Sequence, residues 1–193
     1  MIPGRARQVG LWLLVPTLVF GMFVGLLLTW HHDTELYGMA AGELIGCSES
    51  AEVSCNAVNT SAWSELLGIP LATWSFGAHA TVLALVAVAL AGRDGARTLV
   101  LMAGTFAVGA SAFLFYVSKV ELGFVCAWCL RLYAVNALIF LLPLLGGMPP
   151  LPERRLVGLA AGGFAAALAL SAVGERVFRA TLFDGPAPAL AQV

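Results

Sequence analysis

VCAWCLRLYAVNALIFLLPLL, residues 125–145, opens with two cysteines three positions apart and then runs on almost entirely as hydrocarbon. A run of about 20 apolar residues is long enough to cross a bilayer as a helix. Its one charge, Arg131, lies close enough to the mouth for a long side chain to snorkel to the interface. The stretch therefore reads as a transmembrane helix over about 127–145 with a dithiol at its rim.

The same length test, applied outward, finds four more spans at about 9–30, 69–91, 98–117 and 156–173. The last is rich in Ala and Gly and stops near Glu175. Composition agrees: 60% of residues are hydrophobic and 11% charged, against roughly a quarter charged in soluble domains. The expected fold class is an all-α integral membrane protein of about five transmembrane helices, a single multi-pass domain over residues 1–193. Three or four of these spans can close a bundle around a central pocket, and small residues such as Gly77 and Gly104 permit close approach.

Charge orients the spans. Arg5 and Arg7, Arg93 and Arg97, and Arg154 and Arg155 all fall on one side, which the positive-inside rule makes cytoplasmic. The loop 31–68 carries six acids and no Lys or Arg, so it faces outward, as does the short link from Ser118 to Val125. Both cysteine pairs, Cys47 with Cys55 and Cys126 with Cys129, thus reach the exterior face. The first apolar core exceeds the roughly 7–15 residues of a signal sequence, so it is expected to stay as a helix. The net charge of −1 is uninformative, but with no basic tract, zinc-finger spacing or nucleotide-binding glycine loop, nucleic acid is not expected as a partner.

Within the outer loop, Asn59 to Leu67 is expected to form a short helix on the membrane surface, capped by Asn59, Thr60 or Ser61, with Trp63, Leu66 and Leu67 as its apolar side. Gly146 to Pro152 breaks the fourth span from the fifth, and residues 180–193, with Gly185-Pro186-Ala187-Pro188, read as a flexible tail.

An even cysteine count at an exterior face fits an oxidising compartment. Cys126 and Cys129 make a poor staple, because a two-residue loop closes almost no chain. What they offer is a bridge that opens and closes, with one thiol at a helix N-terminus where orphan amides favour the thiolate. Cys126 is expected to be the exposed member and Cys129 to lie one turn deeper. That face continues through Tyr133, Asn136 and Phe140, a stripe suited to a flat ring with carbonyl oxygens. Tyr133 and Asn136 also read as ordinary helix-packing polar residues. A loop holding Cys47 and Cys55 can present Cys55 to Cys126 and Cys47 to a partner outside, passing electrons through mixed disulfides. Two rivals stand beside this reading: two structural disulfides, or a soft-metal site on four thiols. Cys₄ metal sites, however, usually draw on two short-spaced pairs, and only one pair here is short. His79, inside the second span, is either functional or a neutral packing residue. Lys119 and Glu121 read as solvated.

The chain resembles the vitamin K epoxide reductase family in its bacterial disulfide-forming branch. The resemblance rests on Cys47 and Cys55, on Asn59-Thr60-Ser61-Ala62-Trp63, on Phe76-Gly77, and on Cys126-Ala127-Trp128-Cys129 followed by Tyr133-Ala134-Val135-Asn136. It implies a four-helix bundle around a quinone, ubiquinone or menaquinone, capped by a short horizontal helix in the first outer loop. It assigns Cys129 to quinone reduction, Cys126 as its disulfide partner, Cys55 to exchange with Cys126, and Cys47 to a separate exported thioredoxin-like protein. Ser61 takes the place of the serine beside the redox centre and Tyr133 that of a tyrosine lining the quinone pocket, with Asn136 on the same stripe. The setting it implies is the bacterial inner membrane, active site toward the periplasm. No fused thioredoxin-like domain is expected after the fifth span. Thr73 stands near the point where vertebrate members have asparagine, which favours a plain quinone over an epoxide.

Overall fold

The structure, a computed structural model, describes residues 3–38 and 44–183. The helices are α1 (Pro3–Tyr37), α2 (Cys55–Asn59), α3 (Leu71–Leu90), α4 (Gly95–Tyr116), α5 (Ala127–Leu141) and α6 (Arg154–Leu182). Five of them, all but α2, are long and apolar enough to cross a membrane. A π-helical turn, Val117–Glu121, continues α4, and a 3-10 turn, Leu142–Leu144, continues α5.

α1 packs on α3 and α5, and α4 closes the ring between α3 and α5, so four helices form the bundle. α6 stands outside it, mainly against α3. The inner half of the core joins Leu14 and Leu18 of α1, Val86 of α3, Val100 of α4 and Ile139 of α5. α4 and α5 touch backbone to backbone at Gly104, where a Cβ would stand 2.6 Å from the Phe140 nitrogen. Arg97, expected among the inner charges, is buried and donates to the carbonyls of Pro143 (2.6 Å) and Gly147 (3.1 Å), groups left unpaired where α5 ends.

Two helix ends differ from the sequence expectation. α1 runs past Trp30 to Tyr37, taking the first residues of the expected loop 31–68. The polar residues there are paired inside the protein: His32 with Asn59 and Glu65, and Asp33 with Arg179. α6 likewise runs on to Leu182 rather than ending near 173, because Glu175 and Arg179 pair across one helical turn. Of the expected tail, 180–182 are helical, and Gly185 to Pro188 lie outside the described residues.

The outer loop does carry a short helix, but it is α2, which begins at Cys55 and ends at Asn59. Its cap is Ser54, whose Oγ accepts the Ala57 N–H at 3.0 Å. Beyond it, a 3-10 turn (Ala62–Ser64) leads into a hairpin of β1 (Glu65–Leu66) and β2 (Ile69–Pro70), with Glu65 opposite Pro70. Leu67 (φ 59°) and Gly68 (φ 72°) supply the two left-handed residues that a tight hairpin turn demands. That turn chemistry displaces the helix expected at Asn59 to Leu67; Trp63, Leu66 and Leu67 nonetheless form an exposed apolar edge.

Candidate active site

The two cysteine pairs meet through a backbone bridge. Val53 pairs with Val125 in parallel: the Ser54 N–H donates to Val125 O (3.1 Å), and the Val125 N–H donates to Glu52 O (2.9 Å). Ser54 is followed by Cys55 and Val125 by Cys126, so the bridge brings the start of α2 against the start of α5. Cys47 and Cys55 form a disulfide, with Cα atoms 6.2 Å apart, while Cys126 and Cys129 are free thiols. Cys47, Cys55 and Cys126 share one buried cluster with Val24 and Leu28 of α1 and Leu132 of α5. A four-sulfur metal site needs all four thiolates, and two of them are consumed in the disulfide.

Cys126 is the N-cap of α5, its sulfur accepting the Cys129 N–H at 3.2 Å. Its thiol is held below the ordinary value, first by a hydrogen bond from the Cys129 thiol and then by the amides of Cys129 and Trp128, against burial and the charge of Glu49. Helix-capping geometry thus favours a thiolate at this position, as its place at the head of α5 suggests. Cys129 lies one turn deeper, as expected, but Cys126, expected to be the exposed member, is fully buried. The cause is the loop, which lays Val53, Cys55 and Leu44 over Cys126, a long-range packing that position on a helix does not report. Cys47, expected to face a partner, is buried too.

Trp128, between the two cysteines, makes contacts with the loop that sequence reasoning passed over. Its indole N–H donates to Ile45 O at 2.8 Å, and the guanidinium of Arg131 stacks 4.1 Å from its ring while donating to Gly46 O at 3.3 Å. These contacts tie the two residues before Cys47 to α5. Arg131 does keep an exposed position, but as the lid over Trp128 rather than a free snorkel. Lys119 is paired with Glu52 at 3.4 Å on the exposed side.

Deeper in the bundle, one polar layer draws on three helices. The Asn136 amide donates to Ser111 Oγ of α4 at 2.9 Å, and the His79 ring of α3, its Nδ1 bonded to Ser75 O at 2.6 Å, lies over Gly21 of α1 and beside Val135. Asn136 Oδ1 and His79 Nε2 make no hydrogen bond of ordinary geometry, but the Asn136 amide and the His79 ring stand within reach of one another. Tyr133 is half-buried, one turn above Asn136 and one turn below Cys129. Ser61 is buried, and its hydroxyl donates to Val58 O at 2.9 Å, bracing the loop. So the structure gathers the four cysteines at the outer rim and sets Tyr133 and Asn136 below them on α5, while Ser61 is spent on backbone. A separate cavity of about 640 Å³ opens between α1, α3 and α6, lined by Thr29, Trp30, Thr73, Phe76 and Phe178; none of the thiols, Tyr133 or Asn136 lines it.

The family model described as "Vitamin K epoxide reductase family" matches residues 12–144. The chain belongs to the vitamin K epoxide reductase family. The match takes in both cysteine pairs and the bundle helices, and leaves α6 outside. A search of curated proteins gives no match. Vitamin K epoxide reductase family membership makes this chain a membrane oxidoreductase of the thiol–disulfide kind. A quinone, which the family implies, needs a hydrogen-bond donor for its oxygen, and the phenol of Tyr133, half-buried one turn below Cys129, is of that kind, whereas the Asn136 amide is engaged with Ser111 and faces the His79 ring.

Proposed function

We propose that this protein oxidises a separate exported thioredoxin-like partner and reduces a membrane quinone, ubiquinone or menaquinone, so supporting disulfide formation in secreted proteins. The setting is the bacterial inner membrane with the thiols toward the periplasm, as the basic residues on the opposite side favour. The observation that carries the reading is the Val53–Val125 bridge, which sets an oxidised loop pair beside a reduced CxxC pair at the mouth of a lipid-embedded bundle.

The chemistry is a chain of thiol–disulfide exchanges. A partner thiolate attacks Cys47, breaking its bond to Cys55, and the partner's second thiol then releases Cys47. The Cys55 thiolate attacks Cys126 of an oxidised Cys126–Cys129 pair, and Cys129 leaves with the electrons. Cys47 then attacks Cys55, restoring the loop disulfide and freeing Cys126. The loop is thereby reoxidised and the CxxC pair holds two electrons, a distribution with which a Cys47–Cys55 disulfide beside unbridged Cys126 and Cys129 is consistent. A bound quinone supplies the electron sink, taking two electrons and two protons. Tyr133 and Asn136 would hold it, with Cys129 nearest and the apolar bundle excluding water. Ser61 joins only by releasing Val58.

The test is purified protein with a reduced thioredoxin-like donor and a soluble quinone, following quinone absorbance. Wild type turns over, and Cys129→Ala loses more than a hundredfold. Absence of turnover, or an unaffected Cys129→Ala, sinks the reading.

A further inference from the structure

α6 lies outside the family match, and its most apolar stretch is nowhere buried. Among its residues only Glu175 is buried. α6 makes apolar contacts, such as Phe178 with Trp30, but its one buried side chain is an acid, so polar contacts also locate it.

Those contacts converge on Arg179, one turn beyond. Its Nε donates to Glu175 Oε1 (2.7 Å) and Asp33 Oδ1 (2.9 Å), Nη1 donates to Tyr37 Oη (2.9 Å) and Gly68 O (3.3 Å), and Nη2 donates to Glu65 Oε1 (3.4 Å). One guanidinium thus joins α6 to the end of α1 and to the loop hairpin. Glu65 Oε1 in turn meets His32 Nε2 at 2.9 Å, and His32 Nδ1 donates to Asn59 O at 2.5 Å. The Asn59 side chain donates to Leu28 O of α1 at 2.8 Å. Asn59 is the last residue of the helix whose first residue is Cys55.

We propose that α6 is a strut for the redox loop and that Arg179 is a positioning residue: through Glu65 and His32 it holds Asn59, and so fixes where Cys55 stands against Cys126. The relay is continuous from the guanidinium to α2, and every side chain in it is at least four-fifths buried. Arginine suits the post, since its fork serves Asp33, Glu65 and Tyr37 together. The proposal rests on the loop pair passing electrons to the CxxC pair.

The experiment uses the full chain in detergent with Arg179→Gln, Arg179→Lys and Glu65→Ala. Glu65→Ala cuts the relay while leaving Arg179 its ion pairs with Asp33 and Glu175. Amide hydrogen exchange over residues 55–61 is expected to quicken at least tenfold in Arg179→Gln and Glu65→Ala, with the α5 peptide unchanged and Arg179→Lys in between. Turnover driven by a thioredoxin-like donor through the loop falls at least tenfold in kcat. Turnover driven by a small dithiol that reduces Cys126–Cys129 directly stays within twofold, as does KM for the quinone. Equal loss by both routes, or unaltered exchange in Glu65→Ala, overturns the proposal. If wild type reduces no quinone, the electron-transfer reading fails, while hydrogen exchange still decides whether α6 braces the loop.

Discussion

Trp128 donates its indole N–H to the carbonyl of Ile45 at 2.8 Å, so the residue inside the CxxC motif of α5 holds down the segment that leads to Cys47. The loop disulfide is buried, and a reductant is expected to reach Cys47 more readily when the anchored segment lifts. Trp128→Phe removes one hydrogen bond, worth about 1 kcal/mol, or about fivefold in the population of the lifted loop. The rate at which a small thiol reduces Cys47–Cys55, measured with Cys126 and Cys129 replaced by Ser, should therefore rise about fivefold. A rate no higher than the parent's means that the contact does not guard the disulfide.

Cys126 titrates below an ordinary thiol because Cys129 and two α5 amides hydrogen-bond its sulfur. A depressed value in the folded state adds stability at pH above the unfolded thiol value. That contribution fades as pH falls through the folded value. In a variant with Cys47 and Cys55 replaced by Ser, thiolate absorbance should appear at lower pH than the roughly 8.5 of a free cysteine. Cys129→Ala removes the thiol hydrogen bond and should shift the transition upward; a downward shift contradicts the assignment.

The five apolar helices and the placing of Cys126, Cys129, Tyr133 and Asn136 along one of them were legible because each depends on local composition or helical spacing. What was not legible depends on partners distant in sequence. α1 continues through His32 and Asp33 because Arg179 lies 146 positions from Asp33 and still reaches it, and no window of sequence contains both. The burial of Cys126 follows from a bridge between Val53 and Val125, again remote in the chain. In the loop the difficulty was local ambiguity: Ser54, Asn59, Thr60 and Ser61 are all good caps. The left-handed pair Leu67-Gly68 turns the later half into a hairpin and leaves Ser54 to cap the helix.

That cap carries its own consequence. Ser54 Oγ accepts the Ala57 N–H at 3.0 Å at the head of a helix only five residues long, where propagation adds little. Ser54→Ala costs about 1 kcal/mol. Because α2 starts at Cys55, the loss should appear as faster exchange of the α2 amides and a lower melting temperature, while Ser61→Ala, which loosens only the contact with Val58, has the smaller effect on α2. Equal effects from the two serines argue against the cap.

Asn136 offers the last test, because its two ends do different work. One end is bonded to Ser111, and the other faces the His79 ring without an ordinary hydrogen-bond geometry. A bound quinone oxygen is expected to take the amide in place of that poorly formed contact. Asn136→Leu then deletes the quinone's hydrogen bond and should weaken its binding about tenfold, near the 1.4 kcal/mol that a factor of ten represents, within the range for one hydrogen bond. Ser111→Ala leaves the amide in place and should weaken binding by less. Quenching of tryptophan fluorescence by added quinone reads the affinity without any turnover. A protein whose affinity is untouched by Asn136→Leu, yet whose melting temperature moves, uses Asn136 to pack α5 against α4 and binds its acceptor elsewhere.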